Sequence, residues 1–142
     1  MYASPLRPHR SGCPIGIALD VFGDVWSLLI VRDLMFKGIN TFKGFCDAGE
    51  GIATNILSER LVRLEAAGIL EKQRAADDGR RFIYGLTQKG IDLAPMLVEM
   101  ILWSDAYEET AAPPDVMTFM RENKAAFLEQ VRQDWAKLRQ TP

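Results

Sequence analysis

Histidine is nearly missing from this chain: His9 stands alone among 142 residues, in a stretch that also holds Pro5 and Pro8. Cysteine is almost as scarce, with only Cys13 and Cys46. Two such cysteines cannot build a disulfide scaffold, and they lack the spacing of a zinc site. A lone histidine leaves neither a metal centre nor a His-based nucleophilic triad easy to assemble. The chain is therefore not expected to be an enzyme, or to hold a metal or a cofactor. Long apolar runs are missing too. The densest, Val25–Phe36, is interrupted by Ser27, Arg32 and Asp33, well short of the ~20 residues that span a bilayer. No basic segment followed by an apolar stretch opens the chain, so no secretion signal is read. The cytoplasm is the expected compartment, with no membrane partner.

A basic excess is also lacking. The formal net charge is −2, which at first argues against nucleic acid, because phosphate contacts dominate DNA affinity. The distribution softens that objection. Residues 99–142 hold eight acidic and five basic side chains, a net −3, which leaves +1 for residues 1–98. The acid gathers toward the C-terminus, and the rest of the chain permits an anionic partner without demanding one.

What is present has globular composition, with 48% apolar and 25% charged residues, and is long enough to bury a core. Residues 1–12 are expected to form a flexible tail. Pro14 suits the first turn of a helix reaching Phe22, which Gly23 ends. Asp24 can cap a largely apolar helix, Val25–Lys37, closed by Gly38 and expected to be the most buried. Thr41 caps a short helix over Phe42–Ala48, and the Gly49–Gly51 turn leads into a helix from about Ala53 to Ala67.

On that helix Leu57, Leu61 and Leu64 recur at i, i+4 and i+7 and form an inward stripe. Asn55, Ser58, Glu59, Val62 and Ala66 face the other way, flanked by Thr54 and Arg63. Gly68 and Ile69 read as a Schellman stop. Ile69–Arg74 and Arg80–Leu86 then pair across Ala75–Gly79 as a hairpin whose second strand opens with two arginines. Phe82, Tyr84 and Leu86 share one face of it. Thr87 caps a long helix to about Tyr107, kinked at Pro95. It carries two apolar stripes, Ala94–Leu97–Ile101 and Met96–Met100–Trp103–Tyr107, where docking on one core needs only one. After a break at Ala111–Pro114, a last helix from Asp115 to Arg139 carries Phe119, Phe127 and Trp135.

The order helix, turn, helix, hairpin is that of a winged helix-turn-helix. The fold class expected is mainly α with a two-stranded β-hairpin and additional dimerisation helices. Exposed polar residues near the start of the second helix, here Thr54, Asn55, Ser58, Glu59 and Arg63, can reach base edges or phosphates in a major groove. Arg80 and Arg81 can reach a minor groove or flanking phosphates. Read alone, the helix could equally be an ordinary amphipathic surface helix. Asp77 and Asp78 weaken the local field and read mainly as turn residues.

Cys13-Pro14, the Gly-x-x-Trp ending at Trp26, Leu61-x-x-Leu64-Glu65-x-x-Gly68 and Arg81-x-x-Tyr84-x-Leu86-Thr87-x-x-Gly90 resemble the HxlR family of winged-helix transcription regulators, relatives of the MarR type. The resemblance runs from about Cys13 to Tyr107. It implies a homodimer on a pseudo-palindromic operator in double-stranded DNA, with Thr54–Arg63 in the recognition helix and Arg80–Arg81 in the wing. It also implies dimerisation through the first helix and the helices after the wing. Residues 13–110 then form the DNA-binding domain with its dimerisation helices, and 111–142 a helical extension beyond the family core. Ala53 departs from the family, standing where many relatives have a capping serine.

Some family members sense quinones, aldehydes or oxidants through a cysteine at the place of Cys13. The alternatives are a thiol sensor, favoured where a helix N-terminus stabilises thiolate, and a small residue packed at the helix mouth. Cys46 reads as packing. Met96, Met100, Trp103, Tyr107, Phe119, Phe127 and Trp135 are expected at a dimer interface, although the aromatics and methionines could line a small-molecule pocket. An effector, oxidant or other small molecule, is expected without a named identity. The competing reading, from another class, is a winged-helix module that binds proteins and not DNA.

Overall fold

Glycine and proline mark most of the boundaries in the computed structural model, which describes residues 9–140. The expected tail falls outside the described residues for positions 1–8. His9 and Arg10 lie near Asp20, at 3.5 and 3.9 Å. Helix α1 is Pro14–Phe22, with Pro14 in its first turn and Gly23 as its C-cap. Helix α2, Ser27–Phe36, begins two residues later than its apolar pattern predicts. The Asp24 carboxylate accepts from the backbone N–H groups of Trp26 and Ser27 at 2.8 and 2.9 Å, and so organises a turn ahead of the helix. Gly38, at φ 66°, follows α2. Thr41 caps the short α3, Phe42–Cys46, through its hydroxyl and the Gly44 N–H.

Helix α4, Thr54–Ala66, buries Leu57, Leu61 and Leu64 as its periodicity requires. At ~1.5–3 kcal/mol for each fully buried leucine, that stripe is enough to hold the helix down. It ends in a complete Schellman motif. Gly68 (φ 78°) donates to the Glu65 carbonyl and Ile69 to that of Leu64. Strands β1, Leu70–Arg74, and β2, Phe82–Leu86, pair antiparallel with Leu70 opposite Leu86 and Arg74 opposite Phe82. Their connection runs from Ala75 to Arg81, closed by the Ala75 N–H on the Arg81 carbonyl at 2.9 Å. Arg80 and Arg81 thus belong to the loop and not, as the pattern predicts, to the strand.

α4 packs on α3 and on β1, while α2 packs on α1 and β2. Tyr84 N–H donates to the Asn40 carbonyl at 2.8 Å, which pins the approach to α3 against the hairpin. The Phe45 and Tyr84 rings meet edge to face at 5.8 Å.

The single kinked helix expected from Thr87 to Tyr107 is two helices, α5 (Gln88–Ile91) and α6 (Ala94–Tyr107), with Pro95 in the first turn of the second. Proline has no N–H to give the Ile91 carbonyl and its ring clashes there, so the chain restarts rather than bends. Thr87 caps α5, its hydroxyl accepting from Gly90 N–H and donating to the Gly68 carbonyl at 2.6 Å. The last expected helix is likewise divided, into α7 (Pro114–Glu122) and α8 (Lys124–Gln140). Asn123 (φ −134°, ψ 50°) ends one, and its carbonyl accepts the Phe127 N–H to start the other.

The chain forms two compact units, one ending at Gly90 and one beginning at Ile91. In the second, α7 and α8 both pack on α6 and on each other. Met117, Met120 and Val131 are buried. Three acids, Asp92, Glu99 and Asp105, pair with Arg132, Lys124 and Arg121 respectively. Acidic residues at Asp92 and along α6 thus meet a basic row that runs back along α8 and into α7. Among the described residues no single helix is long and apolar enough to cross a membrane.

Candidate nucleic-acid interface

Thr54, Asn55 and Ser58 lie exposed on α4, as expected of its outward face, and Glu59 and Val62 are exposed beside them. Ala53 offers no side-chain cap, yet the helix starts regularly, with Leu57 N–H on the Ala53 carbonyl at 2.9 Å. Glu59 is flanked by cations. Its carboxylate pairs with Arg60 and lies 3.6 Å from Arg63 Nε. The acid on this face is matched by two guanidinium groups, which lowers its repulsion of any anion.

Arg60 is not one of the residues singled out by the outward pattern. Its side chain is sheltered, and Nε donates to Asp24 at 3.0 Å. Asp24 is the meeting point of four donors: Trp26 N–H, Ser27 N–H, the Ser27 hydroxyl at 2.6 Å, and Arg60. Partial burial acts to raise its pKa. The Ser27 hydroxyl, the Trp26 N–H, Arg60 and the Ser27 N–H outweigh that, and the pKa falls from 3.8 to about 2. A second ion pair joins α2 to the turn before α4. Arg32 Nη1 donates to Glu50 at 2.8 Å, and Arg32 also holds the buried Asp33.

In the hairpin, Arg80 is far more open than Arg81, with 94% against 52% of the side chain exposed. Asp78 serves the turn, accepting from Arg80 N–H at 3.0 Å, and its carbonyl accepts from Arg81 N–H. Asp77 takes the Arg81 guanidinium at 3.1 Å, and its pKa is lowered by that bond. Arg81 is therefore partly neutralised, and Arg80 more weakly so, its Nε 3.5 Å from the Asp78 carboxylate; each aspartate both serves the turn and faces an arginine. Two further cations that the sequence pattern does not single out stand on the hairpin. Lys72 Nζ and the Arg74 guanidinium sit 4.5 and 5.1 Å from the centre of the Phe82 ring. Strand alternation puts 72 and 74 on the face of 82 and 84, so the signal was available.

All these groups belong to the first unit, and α4 lies directly against β1 of the wing. The remaining singled-out residues lie elsewhere. Cys13 is the exposed N-cap of α1, its N–H on the Ser11 hydroxyl at 3.0 Å. Cys46 is half-buried in α3. Met96, Met100, Trp103 and Tyr107 are on α6, Phe119 on α7, and Phe127 and Trp135 on α8. Trp103 and Tyr107 are 66% and 73% exposed with rings 5.7 Å apart, and the Phe119 and Phe127 rings are 6.5 Å apart. None of the seven lines the small open crevice walled by Trp26, Leu29, Phe45 and Leu57 in the first unit.

The arrangement of α3, α4 and the β1–β2 hairpin coincides with a family model for the HxlR-like helix-turn-helix, which matches residues 21–112. The chain belongs to the HxlR-like helix-turn-helix family. It is 35% identical over 107 residues to the HTH-type transcriptional regulator Mb3122 of Mycobacterium bovis, covering 75% of this chain and 66% of that protein. The chain thus spans just under two thirds of the length of its mycobacterial relative. With the HTH-type transcriptional regulator YodB of Bacillus subtilis it shares 35% identity over 68% of this chain and 87% of YodB. Among solved structures, PA1607 superposes with a TM-score of 0.65 at 38% identity, over 73% of this chain and 71% of that one. The reduced form of YodB gives 0.57 at 33%, over 68% and 95%. YodB has also been solved quinone-bound and diamide-treated.

Proposed function

We propose that this protein is a sequence-specific DNA-binding transcription regulator that acts as a homodimer on a pseudo-palindromic operator and answers a thiol-reactive effector. The observation that carries the reading is the exposed polar row Thr54–Asn55–Ser58 on a helix packed against an arginine-bearing hairpin. In this reading Thr54, Asn55 and Ser58 meet base edges, and Arg63, with Glu59 beside it, borders the phosphates. Arg80 and Arg81 reach the flanking backbone or a minor groove. Residues 13–110 act as the DNA-binding and dimerising part, and the extension beyond 110 adds to the dimer contacts.

The exposed Trp103 and Tyr107, with Met96, Met100, Phe119, Phe127 and Trp135, support a second copy as their cover. Cys13, exposed at the mouth of α1, supports an effector that modifies a thiol. The quinone-bound form of the related YodB points to a quinone as the first compound to try. The competing reading is a protein-binding winged helix without DNA affinity, and it draws on the net charge of −2 and the Asp77–Arg81 pair.

One experiment separates them. The intact protein is used to select duplexes from a random pool, and the enriched sequence is tested by mobility shift, with light scattering of the free protein. Enrichment of an inverted repeat and a dimeric mass support the proposal. A folded protein that enriches nothing at low salt would leave the protein-binding reading.

A further inference from the structure

Two ion pairs tie the α2 region to the helix-turn-helix. Asp24, just ahead of α2, holds Arg60 in the middle of α4 at 3.0 Å. Arg32, on α2, holds Glu50 in the turn before α4 at 2.8 Å. Glu50 lies between Gly49 (φ 93°) and Gly51 (φ 73°), backbone that glycine adopts without strain but that offers little stiffness of its own. Asp24 is a fixed acceptor, since two N–H groups and a hydroxyl of the α2 start already orient its carboxylate. Arg60 and Asp24 are sheltered, with 18% and 19% of their side chains exposed.

The leucine stripe of α4 sets the roll of the helix only coarsely, because apolar burial has no direction. Base readout needs more. Side chains on a helix reach ~5–6 Å from its axis, so a roll of ~10° displaces a contacting atom by ~1 Å. That is enough to spoil a hydrogen bond of ordinary length. The directional pair Arg60–Asp24 supplies a finer setting, and Arg32–Glu50 steadies the entry of the helix.

We propose that Arg60 is a positioning residue for base readout, holding the roll of α4 through Asp24 so that Asn55 and Ser58 meet base edges in register. This rests on the DNA-binding reading above. In this role Arg60, sheltered against Asp24, acts through the helix that carries the bases' partners.

The test compares the intact wild type with Arg60→Gln, Arg60→Lys, Asp24→Asn and the double variant Asp24→Asn/Arg60→Gln. Each is measured at a temperature where circular dichroism shows it folded. The readout is preference, the ratio of affinities for the selected duplex and a random one, across a range of salt. Arg60→Gln and Asp24→Asn should each lower preference by about tenfold, as for one impaired base contact, with random-duplex affinity and salt slope unchanged. The double variant should fall no further than either single, and Arg60→Lys should recover part of the loss. An unchanged preference in the folded variants overturns the positioning role while leaving DNA binding intact. A loss of random-duplex affinity with a shallower salt slope overturns it also, since Arg60 would then be a phosphate contact. A wild type that selects no duplex removes the DNA-binding reading, and this role with it. Should Arg60→Gln not fold, Asp24→Asn and Arg60→Lys decide on the same criteria.

Discussion

Gly90 lies so close to Ile69 that a β-carbon added to it would stand 2.2 Å from the Ile69 carbonyl oxygen. The obstacle is backbone, and the same carbonyl accepts the Thr87 N–H at 3.0 Å. Lys89 adds a bond to the Ala67 carbonyl at 2.7 Å. The end of α4, the start of β1 and α5 are therefore one knot, tied where no side chain fits. Gly90→Ala should cost about 1–3 kcal/mol or more, the range for overpacked interiors. Urea denaturation of the two proteins checks this, and a loss below ~0.5 kcal/mol would mean that α5 can slide away from Ile69.

Asp24 should make stability depend on acid pH. Its folded pKa of about 2 lies below its ordinary 3.8. The stabilisation is complete above the ordinary value and is lost as pH falls through about 4 toward 2. A shift of this size corresponds to about 2 kcal/mol. Asp24→Asn cannot titrate, so the gap in unfolding free energy between it and the wild type should be widest near pH 7 and close near pH 2. A gap independent of pH would show that the hydrogen-bonding shape of the group matters and its charge does not.

The wing and the recognition helix should fail in different ways. Arg80→Ala should weaken binding to specific and random duplexes alike and flatten the salt dependence, because the exposed guanidinium would act on phosphates. Arg81→Ala should do less, because its guanidinium is less exposed and is bonded by Asp77 at 3.1 Å, whereas Asp78 stands 3.5 Å from the more open Arg80. Asn55→Ala or Ser58→Ala should shift preference among operator variants by about 1–3 kcal/mol per lost base contact. Titrations of each variant against operator and random DNA at several salt concentrations distinguish the patterns.

Cys13→Ser should keep operator affinity but lose sensitivity to a quinone or diamide. The thiol is open to solvent and stands at the cap of α1, where an adduct can disturb the start of that helix. Coupling of ~1–3 kcal/mol would suffice to free an operator. Affinity is measured before and after treatment, with thiol state read by mass spectrometry. Full modification of Cys13 with no change in affinity would assign the residue to packing.

Local chemistry explains what could be read in advance. Pro14 and Gly23 bracket α1, Gly68 closes α4, and the leucine stripe buries where a 3.6-residue period puts it. The long apolar pattern around Pro95 predicts a kink, whereas the missing N–H of that proline ends α5 at Ile91. Asn123 divides α7 from α8 with neither proline nor glycine to signal it. For the candidate site, the polar row of α4 was legible from periodicity. The Asp24–Arg60 pair was not, because it joins residues 36 apart and only the packed fold brings them together.

Two of the three pairs that join the acidic row to its basic counterpart lie open, with Lys124 and Glu99 at 44% and 61% exposed and Arg132 and Asp92 at 37% and 55%. The Asp24–Arg60 pair is less than half as open. Dissolved ions screen the first kind of contact far more than the second. As ionic strength rises, the grip of α7 and α8 on α6 relaxes while the setting of α4 persists. A change of salt is therefore felt within the second unit before it is felt at α4.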